Sequence, residues 1–261
     1  MEFGLNGKTA LVVASSQGLG KAIAASLVNE GVNVMLASRN EEQLESVEYE
    51  LAGLEKGKVS HIRCDITNPE DIRNMVEKTK AEFGRLDILI NNAGGPPAGS
   101  FEEMTDEHWQ NAFELNLLSY IRVIREALPL LKVNGGKIIN IASSSIKEPI
   151  PGLILSNTFR TGIVGLSKTL ASELAPFNIL INTVGPGRIA TDRVKHLDEV
   201  NASKTGYSRE EIENLEKKTI PLQRYGRPEE FANVVTFLVS DANTYMTGSS
   251  FLVDGGKIKA I

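Results

Sequence analysis

The stretch "TALVVASSQGLGKAIAASLVNEG", residues 9–31, changes its periodicity partway along, and that change decides the fold class. "TALVVA" (9–14) is an unbroken apolar run too short for a helix. From Gly18 onward the apolar residues recur at helical spacing up to a terminal glycine, Gly31. The stretch therefore reads as strand, tight turn and helix. Gly18, Leu19 and Gly20 sit at the junction, preceded by Ser15 and Ser16. There a diphosphate can approach bare backbone and meet the positive end of the helix, although an empty strand-to-helix turn has the same spacing.

The alternation continues to the far end of the chain. Apolar runs at 33–38, 59–64, 86–92, 136–142, 178–185 and 249–256 read as strands with helices between them, except that an irregular polar segment, largely helical in pattern over 196–219, runs to about 227 before a last helix at "PEEFANVVTFLVS". The segment 67–84 carries a helix-start signal, with Asn68 as N-cap and Pro69 at the first position. One long helix is expected over about 105–131 and another over 156–174. Continuous apolar strands alternating with helices imply an α/β fold, a doubly wound parallel sheet of seven strands covered by helices on both faces. Residues 1–261 show no linker, repeat or low-complexity tract, so a single domain is expected.

A formal net charge of -5 argues against a nucleic-acid partner. The single cysteine, Cys64, excludes an internal disulfide and reads as a small buried hydrophobe at a strand end. His61, His108 and His196 lack metal-ligand spacing, so no metal is expected. The first 16 residues do not resemble a secretory leader and no apolar run is long enough to span a bilayer. A cytoplasmic protein with no membrane partner is the expectation. At the end of the second strand Ser38 and Arg39 stand where an NAD-specific site places an acid. A guanidinium there suits the 2′-phosphate of NADP, so NADP(H) is expected over NAD(H).

These segments resemble the short-chain dehydrogenases and reductases, and within them the 3-oxoacyl-acyl-carrier-protein reductase type. The likeness runs over almost the whole chain, through "GLGKAIA", "SRN", "CDIT", "LDILINNAGG", "ELNLLS", "GKIINIASS", "GLSKTLASEL", "VGPGRIATD", "GRPEEFANVVTFLVSD" and "TGSSFLVDGG". The resemblance implies a single Rossmann-fold domain and a small-molecule substrate. It also implies a homo-oligomer, tetramer or dimer, built through the two long helices. It implies further that Asp65 and Ile66 flank the adenine, and that Asn92, Ala93 and Gly94 support the cofactor ribose. Pro186, Gly187, Ile189 and Thr191 would embrace the nicotinamide end, and 188–227 would form the substrate lid.

The same resemblance gives Asn116 and Ser143 catalytic places, the first holding a relay water and the second hydrogen-bonding the substrate oxygen. The family's tyrosine and lysine fall at Ser156 and Arg160, thirteen and seventeen residues after Ser143. Where the family has Thr-Gly in the turn, this chain has Val13 and Ala14. An aliphatic hydroxyl is a far weaker acid than a phenol, whereas Arg160 keeps a positive charge for the ribose hydroxyls. Lys147 and, in the lid, Tyr207 are the substitute proton donors. Three functions follow as expectations. The first is an NADP(H)-dependent oxidoreductase acting on a carbonyl or alcohol with non-standard proton delivery. The alternatives are an impaired nucleotide-binding scaffold and a non-redox lyase on the same fold.

Overall fold

The opening strand-turn-helix unit forms as its periodicity predicts. In the computed structural model, which describes residues 3–260, β1 (Thr9–Val13) is buried along its whole length and α1 (Gly18–Asn29) follows it. The remaining elements are β2 (Asn33–Ser38), α2 (Glu41–Ala52), β3 (Val59–Arg63), α3 (Pro69–Phe83), β4 (Ile88–Asn91), α4 (Asp106–Phe113) and α5 (Ser119–Asn134). They continue with β5 (Gly136–Ile141), α6 (Ile154–Leu174), β6 (Ile179–Pro186), α7 (Asp192–Thr205), α8 (Arg209–Lys218), α9 (Pro228–Val239) and β7 (Ser250–Val253).

All seven strands join one parallel sheet in the order β3-β2-β1-β4-β5-β6-β7. Side chains alternate across each strand, so β1 sends Ala10 and Val12 to one face and Leu11 and Val13 to the other. The first face packs on α1, α2 and α9, the second on α3, α5 and α6. The chain reverses its order of winding between β1 and β4, which opens a crevice at the carboxyl ends of the strands. Ser15 and Gly18 follow β1, Asn92 follows β4, Ser143 follows β5 and Pro186 closes β6, all at that end.

Two features depart from the sequence reading. The helix expected over 105–131 is interrupted by a π turn, Glu114–Leu118, and α5 continues through Pro129 to a left-handed Gly135. α6 begins at Ile154, two residues ahead of Ser156. The polar segment after β6 carries two helices, α7 capped by the Thr191 hydroxyl and α8 by a reciprocal pairing of Ser208 with Glu211. Asn68 caps α3 as expected, its side chain accepting from the Glu70 N–H at 2.9 Å.

Cys64 is buried at the end of β3. Burial, followed by the negative charges of Asp71 and Asp65, pushes its thiol up to about 12. The folded protein should therefore resist alkylation by iodoacetamide at pH 8 while the urea-unfolded chain reacts fully. Labelling at similar rates in both states would contradict this placement.

Candidate active site

The glycine turn is shaped by packing as well as by its own flexibility. A Cβ on Gly20 would lie 2.2 Å from the Ala14 carbonyl oxygen, so a side chain there cannot coexist with this path of the backbone. Ala14 itself takes a left-handed φ of 52°, the conformation its missing glycine would adopt freely, at a cost of about 1 kcal/mol. The Asn92 amide donates to the Ala14 oxygen at 3.3 Å and ties β4 to the turn. Ser15 is buried, its hydroxyl accepting from the Ala37 N–H at 2.9 Å, and the Ser16 and Ser38 hydroxyls are 3.0 Å apart. The first turn of α1 has no side-chain cap and no acid, which leaves its N–H groups open to an anion. Thr191, at the start of α7, faces Gly18 across the crevice, 3.6 Å from where a Cβ would stand.

Arg39 is exposed at the end of β2, with no carboxylate within 4 Å among the described residues. Burial pushes Asp65 up, but hydrogen bonds from the Thr67 N–H and hydroxyl and the charges of Arg39 and Arg63 outweigh it. Its carboxyl ends below the ordinary range.

Ser143 follows β5 and begins a short 3-10 turn, Ser144–Ile146. Its oxygen accepts from the Ser145 N–H at 3.1 Å, which leaves its own proton free to donate. Beneath it a buried ladder fixes the strands: Asn91 donates to Asn140 at 2.9 Å, and Asn140 and Thr183 both reach the Ser167 hydroxyl at 2.9 Å. Asn116 lies fully buried within the π turn, a geometry that recurs at functional sites. Its amide donates to the Gly94 oxygen at 2.7 Å, but its own Oδ1 has no partner. A buried acceptor without a donor is costly, so a water or ligand is wanted there.

Arg160 is committed to the protein more deeply than its sequence position implies. It is 4% exposed, and Nη1 donates to the Tyr120 hydroxyl at 2.7 Å and to the Ile141 oxygen at 2.9 Å. Nη2 donates to the Ala93 oxygen at 3.0 Å. Three of five donors are therefore used inside, leaving Nε and one Nη2 hydrogen for anything in the crevice. Tyr120 in turn donates to the Ile141 oxygen at 2.7 Å, and burial pushes its phenol up despite the adjacent guanidinium. Ser156, one turn earlier on α6, is half-buried with no hydrogen bond.

The two substitute donors fare unequally. Lys147 ends the 3-10 turn, exposed, its N–H bonded to the Ser144 oxygen at 3.1 Å. Tyr207 is exposed beyond the left-handed Gly206 that closes α7, and no hydrogen bond links it to the crevice. Pro186 ends β6, Gly187 packs against Asp254, and Ile189 is buried on a bridge to Gly226. Ile66 and Ala93 are buried on the second face of the sheet. Two site residues escaped the sequence reading. Tyr120 looks like one more apolar position of a helix, and Arg193 looks like a solvated charge on α7. Arg193 instead donates from Nη2 to the Pro96 oxygen at 2.8 Å, against the loop that follows β4.

Over residues 13–257 the chain matches the family described as Enoyl-(Acyl carrier protein) reductase. It is 35% identical to the 3-oxoacyl-[acyl-carrier-protein] reductase FabG of Thermotoga maritima, over 97% of this chain and 99% of that one. It is 34% identical to the NADPH-dependent reductase BacG of Bacillus subtilis, again over 97% and 99%. In structure it is similar to L-sorbose reductase from Gluconobacter frateurii, solved with NADPH and L-sorbose, with a TM-score of 0.95, 32% identity and full coverage of both chains. With matches that run from end to end on one seven-stranded parallel sheet, the chain belongs to the short-chain dehydrogenase/reductase family.

Proposed function

We propose that this protein is an NADP(H)-dependent oxidoreductase that reduces a carbonyl, or oxidises the corresponding alcohol, of a small molecule. The residues present fit the dinucleotide. The uncapped first turn of α1 and the bare Gly18 backbone would hold the diphosphate, and Arg39, free of carboxylate partners among the described residues, would hold the 2′-phosphate. Relatives and structural neighbours described as NADPH-dependent or NADPH-bound support the same cofactor. When bound, it supplies the two electrons of the reduction.

The observation that carries the reading is Ser143, whose oxygen is held by a backbone N–H while its hydroxyl donates to no acceptor among the described residues. That hydroxyl is free to donate to a substrate oxygen and to stabilise charge developing there. Asn116 Oδ1 would hold the water that relays a proton, reached through Ser156 or Lys147. Arg160 supplies positive charge from below. A segment of 188–227 closes over the crevice as its lid. A homotetramer or dimer in the cytoplasm completes the proposal, supported by an aromatic group in which exposed Phe101, ahead of α4, packs on half-buried Trp109, which with Phe113 of α4 meets Phe159 of α6. No described helix is long and apolar enough to cross a membrane.

Titration with NADPH and with NADH, followed by nicotinamide fluorescence, tests the first half: saturable binding that favours NADPH is expected. Ser143→Ala tests the second. It should lower kcat/KM by about 10- to 100-fold, as for loss of a hydrogen bond to a charged oxygen, with NADPH binding intact. A scaffold is the second reading, favoured by the unbonded Ser156 and the inward commitment of Arg160. NADPH binding without turnover of any carbonyl compound would establish it.

A further inference from the structure

Two guanidinium groups converge on one loop at the mouth of the crevice, and neither has an acid. Arg160 reaches the Ala93 oxygen from within the fold at 3.0 Å, and Arg193 reaches the Pro96 oxygen from α7 at 2.8 Å. Between them Asn116 takes the Gly94 oxygen at 2.7 Å, so three carbonyls of the four-residue segment 93–96 face donors from three different elements. The Arg193 guanidinium lies flat against Gly95, where even a Cβ would stand 2.8 Å from Nη2. Its position is thus set by a glycine that leaves room for it.

The electrostatics of this arrangement are unusual. Among the described residues no carboxylate lies within 4 Å of either guanidinium. Burial, followed by the charge of Arg160, lowers the Arg193 pKa. Glu103, beyond the loop, is exposed and already accepts from the Ser100 N–H, and the charge of Lys204 on α7 also acts on it. Arg160 is the buried member of the pair and Arg193 the exposed one at the crevice mouth; the half-buried arginines both have acids, Arg188 pairing with Asp198 at 2.6 Å and Glu216 at 2.7 Å, and Arg122 with Glu114 at 2.6 Å. Two like charges without a counter-ion, Arg160 buried and Arg193 exposed above it, mean that an anion entering between loop and lid meets a positive site backed by a buried charge. Asn116, whose amide binds the same loop, adds a buried Oδ1 that has no partner.

We infer that the substrate is itself an anion, a short-chain oxo acid or its hydroxy acid, whose carboxylate is received by Arg193 where α7 meets the 93–96 loop. The inference rests on the carbonyl-reduction reading above and names its substrate class. Arg193 can turn its fork from the Pro96 oxygen to a carboxylate without moving backbone, since its other donors are unbonded. Arg160 stays in place and contributes field. The nicotinamide-side phosphate of the cofactor offers the same anionic chemistry, and the test separates the two.

NADPH oxidation should be followed with a panel of 2-, 3- and 4-oxo acids, each beside its neutral methyl ester, alongside calorimetric titration of the same acids into the NADP+-saturated protein. The wild type should favour at least one acid over its ester by about 10- to 100-fold in kcat/KM, the scale of a charge-assisted bidentate contact. Arg193→Gln should collapse that ratio toward one, and Arg193→Lys should restore part of it. Acids and esters used equally well, or an acid-to-ester ratio unmoved in Arg193→Gln, would overturn the inference while leaving carbonyl reduction standing. A variant that weakens NADPH binding with the ratio unchanged would also overturn it, assigning Arg193 to the cofactor phosphate. Absence of NADPH binding in the wild type would instead remove the underlying function.

Discussion

Arg160→Met should destabilise the fold by about 3 kcal/mol, seen as a fall in Tm of about 10 °C at unchanged m-value. Replacing a buried charge by an apolar side chain is often neutral, because the desolvation cost of the charge is removed with it. Here two terms oppose that relief. The Ala93 oxygen loses its Nη2 donor and remains under the crevice floor, and methionine is too short to refill the volume beside Tyr120. An unsatisfied buried carbonyl alone costs about 1–3 kcal/mol. The Ile141 oxygen is less exposed to loss, since the Tyr120 hydroxyl still donates to it at 2.7 Å. A double-mutant cycle with Tyr120→Phe isolates the shared part of the network, and a coupling of about 1 kcal/mol is expected for residues in direct contact. If Arg160→Met unfolds within 0.5 kcal/mol of the wild type, the guanidinium is not part of the scaffold and its charge serves the crevice alone.

That network explains where sequence reasoning stops. The sheet was legible because each strand is a short apolar run bounded by helical spacing, a pattern that buried parallel strands impose on any sequence. Ser143, Asn116, Ser156 and Arg160 could be found by counting along a family pattern. The direction in which Arg160 points could not, because its partner Tyr120 lies 40 positions away on another helix and reads as one apolar residue among several. Arg193 was hidden for the opposite reason. A charged residue on a polar helix reads as solvated, and only the close approach of Gly95 reveals that its fork lies against the loop. The π turn at Asn116 has no local signature in composition or spacing, since it conserves the helical run and shifts only its hydrogen bonds. Glycine at position 14 would have made the turn easier to read, and Ala14 adopts the same left-handed conformation without it.

Ser156→Tyr should raise the turnover of neutral ketones by about 10²-fold, the lower end of what a positioned general acid contributes. Ser156 and Arg160 lie four residues apart on one face of α6, so a phenol grown from position 156 would stand over the guanidinium. The uncommitted Nε and Nη2 hydrogens of Arg160 would be available to a phenolate there, and Arg193, close enough to Arg160 for their charges to interact, adds to the positive field. Both favour the ionised phenol and lower its pKa from about 10 toward the working range. The sign of the pH effect follows: reduction needs the protonated phenol, so the gain should be full at low pH and vanish as pH rises through the lowered pKa. The wild type, which has no such phenol at this position, should lack that step. Side-chain volume provides the contrary outcome. Ser156 is half-buried and its side chain has no hydrogen-bond partner among the described residues, so a tyrosine ring there would take crevice space of its own. If neutral ketones turn over more slowly in the variant while NADPH affinity is unchanged, that space belongs to the substrate and the proton reaches it by water from the Asn116 side. Either result locates the acid: a gain shows that position 156 can present one to the substrate, and a loss shows that the substrate occupies the room beside the serine.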